Sequence, residues 1–406
     1  MTGTAADETF VFDPFAPEFA ENPYPVYREL QVRAPVYEHP LGFWMLSRRE
    51  DVFAFLRSQQ SVEARNIDGG DMRRMATEAG MDDRRNGGQS MLDKDPPDHT
   101  RLRKLVSKAF TPRSIEALEP QVDELVDEAL DAMAEAGSVD LVEALALPLP
   151  FTVISRMLGM PPHDHAYVRE LAGLVVKALE PIDDPVLLKQ VVEADVELAG
   201  FIEDIVAWKR GNPGDDLLTG LIAAEEDGDT LTDTELVSQV VLLYVAGHET
   251  TVNLIANGSL ALMRNPEQHA LLREQPDLTG NAVEELLRFD SPVQHTRRVT
   301  LEPYEVAGTT IPRGAYVMAG LASANRDPEF WGEDAGELRL ERPNARQHLS
   351  FGGGPHHCLG AALARLEGRV AFGRLVHRFP GMALDGEVVW NGRMNLRGPS
   401  TLPVSV

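Results

Sequence analysis

Near the end of the sequence, three glycines and a proline lead into its one cysteine: Phe351-Gly352-Gly353-Gly354-Pro355-His356-His357-Cys358-Leu359-Gly360. A helical pattern follows directly, which places the sulfur at a helix N-terminus. Unpaired backbone N–H groups and the positive end of the helix dipole there stabilise a thiolate. Glycines let the backbone pass close to a flat ligand. A single cysteine excludes internal disulfides and any zinc or iron–sulfur site built from several of the chain's own thiolates. An isolated cysteine after such a turn is more often buried and structural, so a chemical role needs support from elsewhere in the chain.

A second constellation is Ala246-Gly247-His248-Glu249-Thr250-Thr251, in the middle of a long helical pattern. A glycine in a helix interior costs about 1 kcal/mol relative to alanine. Something should therefore want the space beside the acid and the alcohol. Taken alone, a close helix–helix contact, with the Thr hydroxyl bonded back to a carbonyl, is the plainer account. A zinc-protease reading of His248-Glu249 fails, because Val252 stands where the second histidine would be. A third group is Glu285-Leu286-Leu287-Arg288, an acid and a guanidinium three apart on a helix.

The cysteine segment resembles the haem-binding loop of the cytochrome P450 family, and Phe351, Gly354, His356, Cys358 and Gly360 satisfy every fixed position of that loop. The resemblance makes Cys358 the axial ligand of haem b (iron protoporphyrin IX) and His356 a partner of a haem propionate. A thiolate ligand pushes electron density onto the iron and favours O–O cleavage. The second group resembles the family's oxygen-activation motif. There Ala246 and Gly247 would leave room for dioxygen, and Glu249 and Thr250 would deliver protons. Family members often carry Asp where this chain has Glu249. Glu285 and Arg288 resemble the family's buried structural pair, with Arg342 as the third member. His99 and Arg103, four apart on one helix face, and Arg298 match propionate-binding positions. Arg297 should point away from Arg298, because strand side chains alternate. Leu242, Val245, Ala246, Val293 and Leu396 should line the substrate pocket. The resemblance runs from about Pro14 to Val406, with the motifs in the family's order.

It implies a mainly α, triangular-prism fold with a small β part, as a single domain over residues 1–406. It also implies a monooxygenase that inserts one atom of dioxygen into a lipophilic small molecule, by hydroxylation or epoxidation. No segment resembles a flavin or iron–sulfur domain. Electrons should therefore come in trans, through a ferredoxin and an NAD(P)H-dependent ferredoxin reductase. A hydrogen-peroxide-driven peroxygenase would not need the Glu249-Thr250 pair. A haem-binding sensor would need neither that pair nor a donor surface. A haem-free helical binding protein leaves the haem-contact pattern without a purpose.

The elements that must position these residues read mainly as helix. Apolar spacing predicts helices over Pro25–Arg33, Asp51–Leu56, Ile115–Ala136, Asn281–Phe289 and Leu359–Phe379. Thr232, with Glu235 three residues on, caps a helix that should run to Arg264 before Asn265-Pro266. Val36–His39 and Phe43–Leu46 suggest a hairpin, and strand-like pieces fall near Arg297–Thr300, Tyr316–Met318 and in the tail. Irregular stretches at Glu63–Met91 and Ala178–Leu188 suit lid loops. Arg65, Asp68 and Asp71 in the first of these face water or anchor polar groups. His99–Arg113 holds Arg101, Arg103, Lys104, Lys108 and Arg113 with no acid between them, which suggests a docking patch for an acidic electron donor.

The net charge of −26 argues against nucleic acid and anionic membranes. No apolar run reaches the roughly 20 residues of a membrane span. The acidic start, Met1 to Phe12, lacks the pattern of a signal peptide, so a cytoplasmic location is expected.

Overall fold

The computed structural model describes residues 10–68, 90–108, 110–161, 165–179, 184–226 and 228–406. Most of the expected first lid and part of the second, with Asp71, lie outside these. Within them the chain is helix-rich with small sheets. The elements that build the site are helices α1 (Tyr24–Arg33), α2 (Arg49–Arg57), α3 (Asp98–Ser107), α4 (Glu119–Ala136), α5 (Pro148–Met157), α6 (Asp233–Arg264), α7 (Thr279–Phe289) and α8 (Ala361–Arg378). Strands β1 (Val36–Glu38), β2 (Phe43–Leu46), β3 (His295–Val299) and β4 (Tyr316–Gly320) form a four-stranded sheet in the order β1-β2-β4-β3. Strand β4 runs parallel to β2 and antiparallel to β3.

The long helix α6 starts where the sequence says it should. Thr232 Oγ1 accepts from the Glu235 N–H at 3.2 Å, and Glu235 Oε2 accepts from the Thr232 N–H at 2.9 Å. It ends at Arg264, before Asn265-Pro266. Its residues from Thr251 to Leu262 are all buried, so it crosses the core. The stretch Ile115–Ala136 is two helices rather than one: Pro112–Glu116, capped by Thr111, and then α4. Pro120 explains the break, since it has no N–H to give and its ring opposes the carbonyl of Glu116.

Helices α6 and α8 pack with little between them. An added Cβ on Gly258 would fall 2.3 Å from the Phe372 ring, and one on Gly368 would lie 3.3 Å from Leu254 Cδ2. These contacts advance together along both helices. The middle stretch Ala246–Thr250 of α6 and the Cys358 loop just before α8 both precede these contacts and therefore lie on the same side of the crossing.

The expected acid–base network is buried at one end of α7. Arg288 Nε and Nη2 donate to Glu285 at 2.7 and 2.8 Å, and Arg342 Nε donates to Glu285 Oε1 at 3.1 Å. Arg288 and Glu285 are 0% exposed. Arg288 also donates to the carbonyls of Asn325, Ala335 and Glu337. Every charge thus has close partners, which is what makes such burial tolerable.

Candidate active site

The cysteine loop is held by two glycines with φ near +67°, Gly352 at +68° and Gly354 at +66°. A side chain on Gly354 would also run into the Leu56 carbonyl of α2, 2.2 Å from the built Cβ. The Cys358 N–H donates to the Phe351 carbonyl at 2.9 Å, which closes the loop. Phe351 lies under the Arg365 guanidinium, 4.5 Å from the ring centroid.

Cys358 is solvent-accessible, yet protein crowds it on its other sides. That crowding pushes the thiol pKa up. The Gly360 N–H and the Arg103 and Arg365 guanidiniums pull it down. Burial is the larger effect, so the thiol lies above its ordinary range and the N–H and cations offset only part of the rise.

Four basic residues converge beside the loop. The His99 and His356 rings lie 4.1 Å apart between centroids. Arg103 Nη2 donates to the His357 carbonyl at 2.7 Å. Arg298, 6% exposed, donates among the described residues only to its own strand, at Arg297 O (2.6 Å) and Thr296 Oγ1 (3.3 Å). Arg297 turns the other way and pairs with Asp93 at 3.2 Å. Burial, and then repulsion from Arg298, His99 and Arg103, lowers the His356 pKa to about 3. Burial and Arg297 lower that of Arg298 to about 10. Both ring nitrogens of His99 are buried without a hydrogen-bond partner. The cluster is rich in donors, and among the described residues Asp95 is the carboxylate that acts on His99 and Arg298. A group with two carboxylates, a flat body and a metal that takes sulfur fits these residues. Haem is such a group.

On α6, Ala246 is exposed in the middle of a core-crossing helix, flanked by buried Val245 and half-buried Leu242. Gly247 faces elsewhere, and a Cβ on it would meet Ile154 of α5 at 4.0 Å. Ala246 rather than Gly247 thus presents the open surface. Thr250 Oγ1 donates to the Ala246 carbonyl at 2.9 Å. Val293 and Leu396 meet in an antiparallel bridge and pack on the main core. Arg65 and Asp68 are exposed, as loop charges usually are, and Arg65 pairs with Glu63.

Two residues, Arg393 and Glu367, were missed in the sequence, and His248 was read there only against a zinc motif. Arg393 in the C-terminal turn pairs with Glu249 at 2.6 Å. Glu367 of α8, 1% exposed, faces Thr251 with neither carboxylate oxygen well bonded. Burial raises its pKa to about 8. His248 is buried edge-on to Phe151, and burial lowers its pKa to about 4. Arg393 and Glu367 left no local signal. His248 did, as a polar residue on a helix face that must cross the core.

The cytochrome P450 family model matches residues 27–386. This chain belongs to the cytochrome P450 family. It is 41% identical to cytochrome P450 monooxygenase PikC of Streptomyces venezuelae, over 95% of this chain and 92% of PikC. It is 42% identical to vitamin D(3) 25-hydroxylase of Pseudonocardia autotrophica, over 97% of this chain and 96% of that enzyme. The solved structure of PksS, the bacillaene polyketide synthase cytochrome P450 of Bacillus subtilis 168, superposes with a TM-score of 0.88 at 37% identity, covering 97% of this chain and 99% of PksS. The protein is therefore a P450 monooxygenase with a haem-thiolate iron cofactor and the family's mainly α fold. Among the described residues, no helix is long and apolar enough to cross a membrane.

Proposed function

We propose that this P450 binds haem b through Cys358, with the propionates held by His99, Arg103, Arg298 and His356, and oxidises a lipophilic polyketide or secosteroid-like molecule with dioxygen. The observation that carries this reading is the cation crowd beside an accessible, N–H-bonded cysteine: His99 is buried with neither ring nitrogen bonded among the described residues, and Arg298 is buried with hydrogen bonds only to its own strand there. Bound there, the haem iron supplies the dioxygen activation and oxygen-atom transfer that side chains cannot. The polypeptide does the rest. Leu242, Val245, Ala246, Val293 and Leu396 present an apolar wall to the substrate. Gly354, through its left-handed backbone against Leu56, and Gly360 would shape the loop that holds the group, while Phe351 and Gly247 would shape its surroundings. Glu249 and Thr250 hold proton-donating groups one residue apart on the same helix turn, and the Thr250 hydroxyl is already oriented by Ala246.

The substrate class follows the relatives, whose names include a vitamin D3 hydroxylase and a polyketide-synthase P450. The donor would be a ferredoxin reduced by an NAD(P)H-dependent reductase. Arg103 ties α3 to the cysteine loop, and the same helix exposes Lys104, with Lys108 directly after it. Arg101 leaves the expected patch, since it pairs with Asp229 and Glu235. Reversing the charge of Lys104 and Lys108 should slow reduction by an acidic ferredoxin, most at low salt.

The deciding experiment is a titration of purified ferric protein with macrolactones, vitamin D3, steroids, terpenoids and fatty acids, following the Soret band. A shift towards high spin with macrolactones or vitamin D3 supports the substrate class, and a shift with fatty acids alone refutes it. A protein purified without any Soret band would overturn the haem site itself.

A further inference from the structure

The C-terminal turn from Asn391 to Gly398 runs along one stripe of α6. Glu249, Asn253 and Asn257 are spaced four apart and share a helix face. Each meets this turn. Arg393 Nη1 donates to Glu249 Oε1 at 2.6 Å. Gly398 presses on Asn253 so closely that a Cβ would fall 2.1 Å from Asn253 Oδ1. Asn257 Nδ2 donates to the Arg397 carbonyl at 3.0 Å. The two lower contacts join buried amides of α6 to the backbone of the turn. The upper one is an ion pair between side chains 18% and 14% exposed.

The turn also has internal order. Asn391 Oδ1 accepts from the Arg393 N–H at 3.1 Å, and Asn391 Nδ2 donates to the Leu396 carbonyl at 2.7 Å. Leu396 is bridged in turn to Val293. One short turn thus carries both Leu396, proposed above for the apolar pocket wall, and the cation paired with Glu249.

We propose that Arg393 is the positioning residue for Glu249, fixing its carboxylate beside Thr250 and linking its aim to whatever fills the pocket against Leu396. This rests on the reading of Glu249 as the proton-delivering acid. A glutamate side chain left unpaired at a protein surface has several rotamers and turns to water. One held by a guanidinium in a semi-buried pair keeps a single orientation. Arg393 does not itself carry the proton, because a guanidinium stays protonated. A substrate that displaces Leu396 moves the same turn and, through Arg393, the acid. Pocket filling and proton delivery are therefore coupled through one ion pair.

The test uses holoenzyme variants Arg393→Gln, Arg393→Lys, Glu249→Gln and the Glu249→Gln/Arg393→Gln double change, with the compound that gives the largest spin-state shift in the panel above. In Arg393→Gln, product formed per NAD(P)H should fall, with a loss of up to about a hundredfold in product-forming rate if the acid is misplaced by about 1 Å, and the solvent deuterium isotope effect should rise. Arg393→Lys should restore most of the coupling. The double variant should be no worse than Glu249→Gln, because Arg393 acts through Glu249. In the resting protein, without turnover, amide exchange across 391–397 should accelerate alike in Arg393→Gln and Glu249→Gln. Wild-type coupling and exchange in Arg393→Gln, beside an impaired Glu249→Gln, would overturn the role of Arg393 and leave that of Glu249 standing. An unimpaired Glu249→Gln would instead remove the reading of Glu249 and this proposal with it.

Discussion

Arg297 and Arg298 are consecutive in β3 and face opposite ways: Arg297 pairs with Asp93 at 3.2 Å, while Arg298 is buried among His99, Arg103 and His356. The alternation of a strand thus puts one guanidinium into a local ion pair and leaves the next for a ligand. Arg298→Ala should weaken haem retention by roughly 10- to 100-fold, the worth of one charge-assisted hydrogen bond. Arg297→Ala should leave it near wild type. The rate of haem transfer to excess apomyoglobin checks both. Equal rates for the two variants would mean that the cation cluster does not hold the propionates.

Gly353 and Gly354 make a similar pair. Gly353 is extended, at φ −166°, and an added Cβ would lie 3.5 Å from Leu56 Cβ, an ordinary contact. Gly354 has φ +66° and would drive a Cβ into the Leu56 carbonyl. Gly354→Ala should therefore destabilise the holoprotein by about 2 kcal/mol or more, from the left-handed backbone and the clash together. Gly353→Ala should cost less than about 1 kcal/mol. Urea unfolding followed at the Soret band separates them, and equal midpoints would refute the argument.

Glu285 holds Arg288 and Arg342 in a site closed to water. Removing its charge leaves two guanidiniums partly uncompensated, and breaking buried pairs of this kind costs about 3–5 kcal/mol. Glu285→Gln should show that loss in urea unfolding, while whatever folds keeps the wild-type Soret spectrum. A changed spectrum at unchanged stability would place Glu285 in the chemistry instead of the framework.

What the sequence disclosed was local. The extent of α6 was readable because its cap, Thr232 with Glu235, and its stop, Asn265-Pro266, lie within a few residues of its ends. The glycine loop was readable because left-handed backbone and close approach leave few choices but glycine. The split at Pro120 carried a signal too, although apolar spacing through Ile115–Ala136 concealed it. Arg393 was invisible, since its partner Glu249 is 144 residues away and an arginine in a turn usually faces water. Arg101 failed for the same reason. In the chain it belongs to a basic run, and in the fold it belongs to Asp229 and Glu235. His99, Arg298 and His356 were named in the sequence through the resemblance alone; what it could not show is that α3, β3 and the cysteine loop bring them into one cluster.

Glu367 gives the last prediction. Its carboxyl lies between α6 and α8, faces Thr251, has no well-formed hydrogen bond to either oxygen, and has its pKa raised by burial to about 8. In the unfolded chain the same group ionises near 4.5. Below that pH both states are protonated and Glu367 leaves stability unaffected. As pH rises from about 4.5 towards 8, only the unfolded chain gives up the proton, so the folded state loses stability by up to 1.36 kcal/mol per unit of pKa difference. The total loss is on the order of a few kcal/mol and is complete once the folded group ionises near pH 8. Glu367→Gln should remove this slope. Relative to wild type it should gain stability steadily between pH 5 and pH 8 and then hold a constant advantage, because all other titrating groups contribute equally to both proteins. Denaturant unfolding at unit pH intervals measures the difference. Parallel wild-type and variant curves would show that Glu367 ionises in the fold much as it does in the unfolded chain, through a partner such as Thr251 or water that its burial does not suggest.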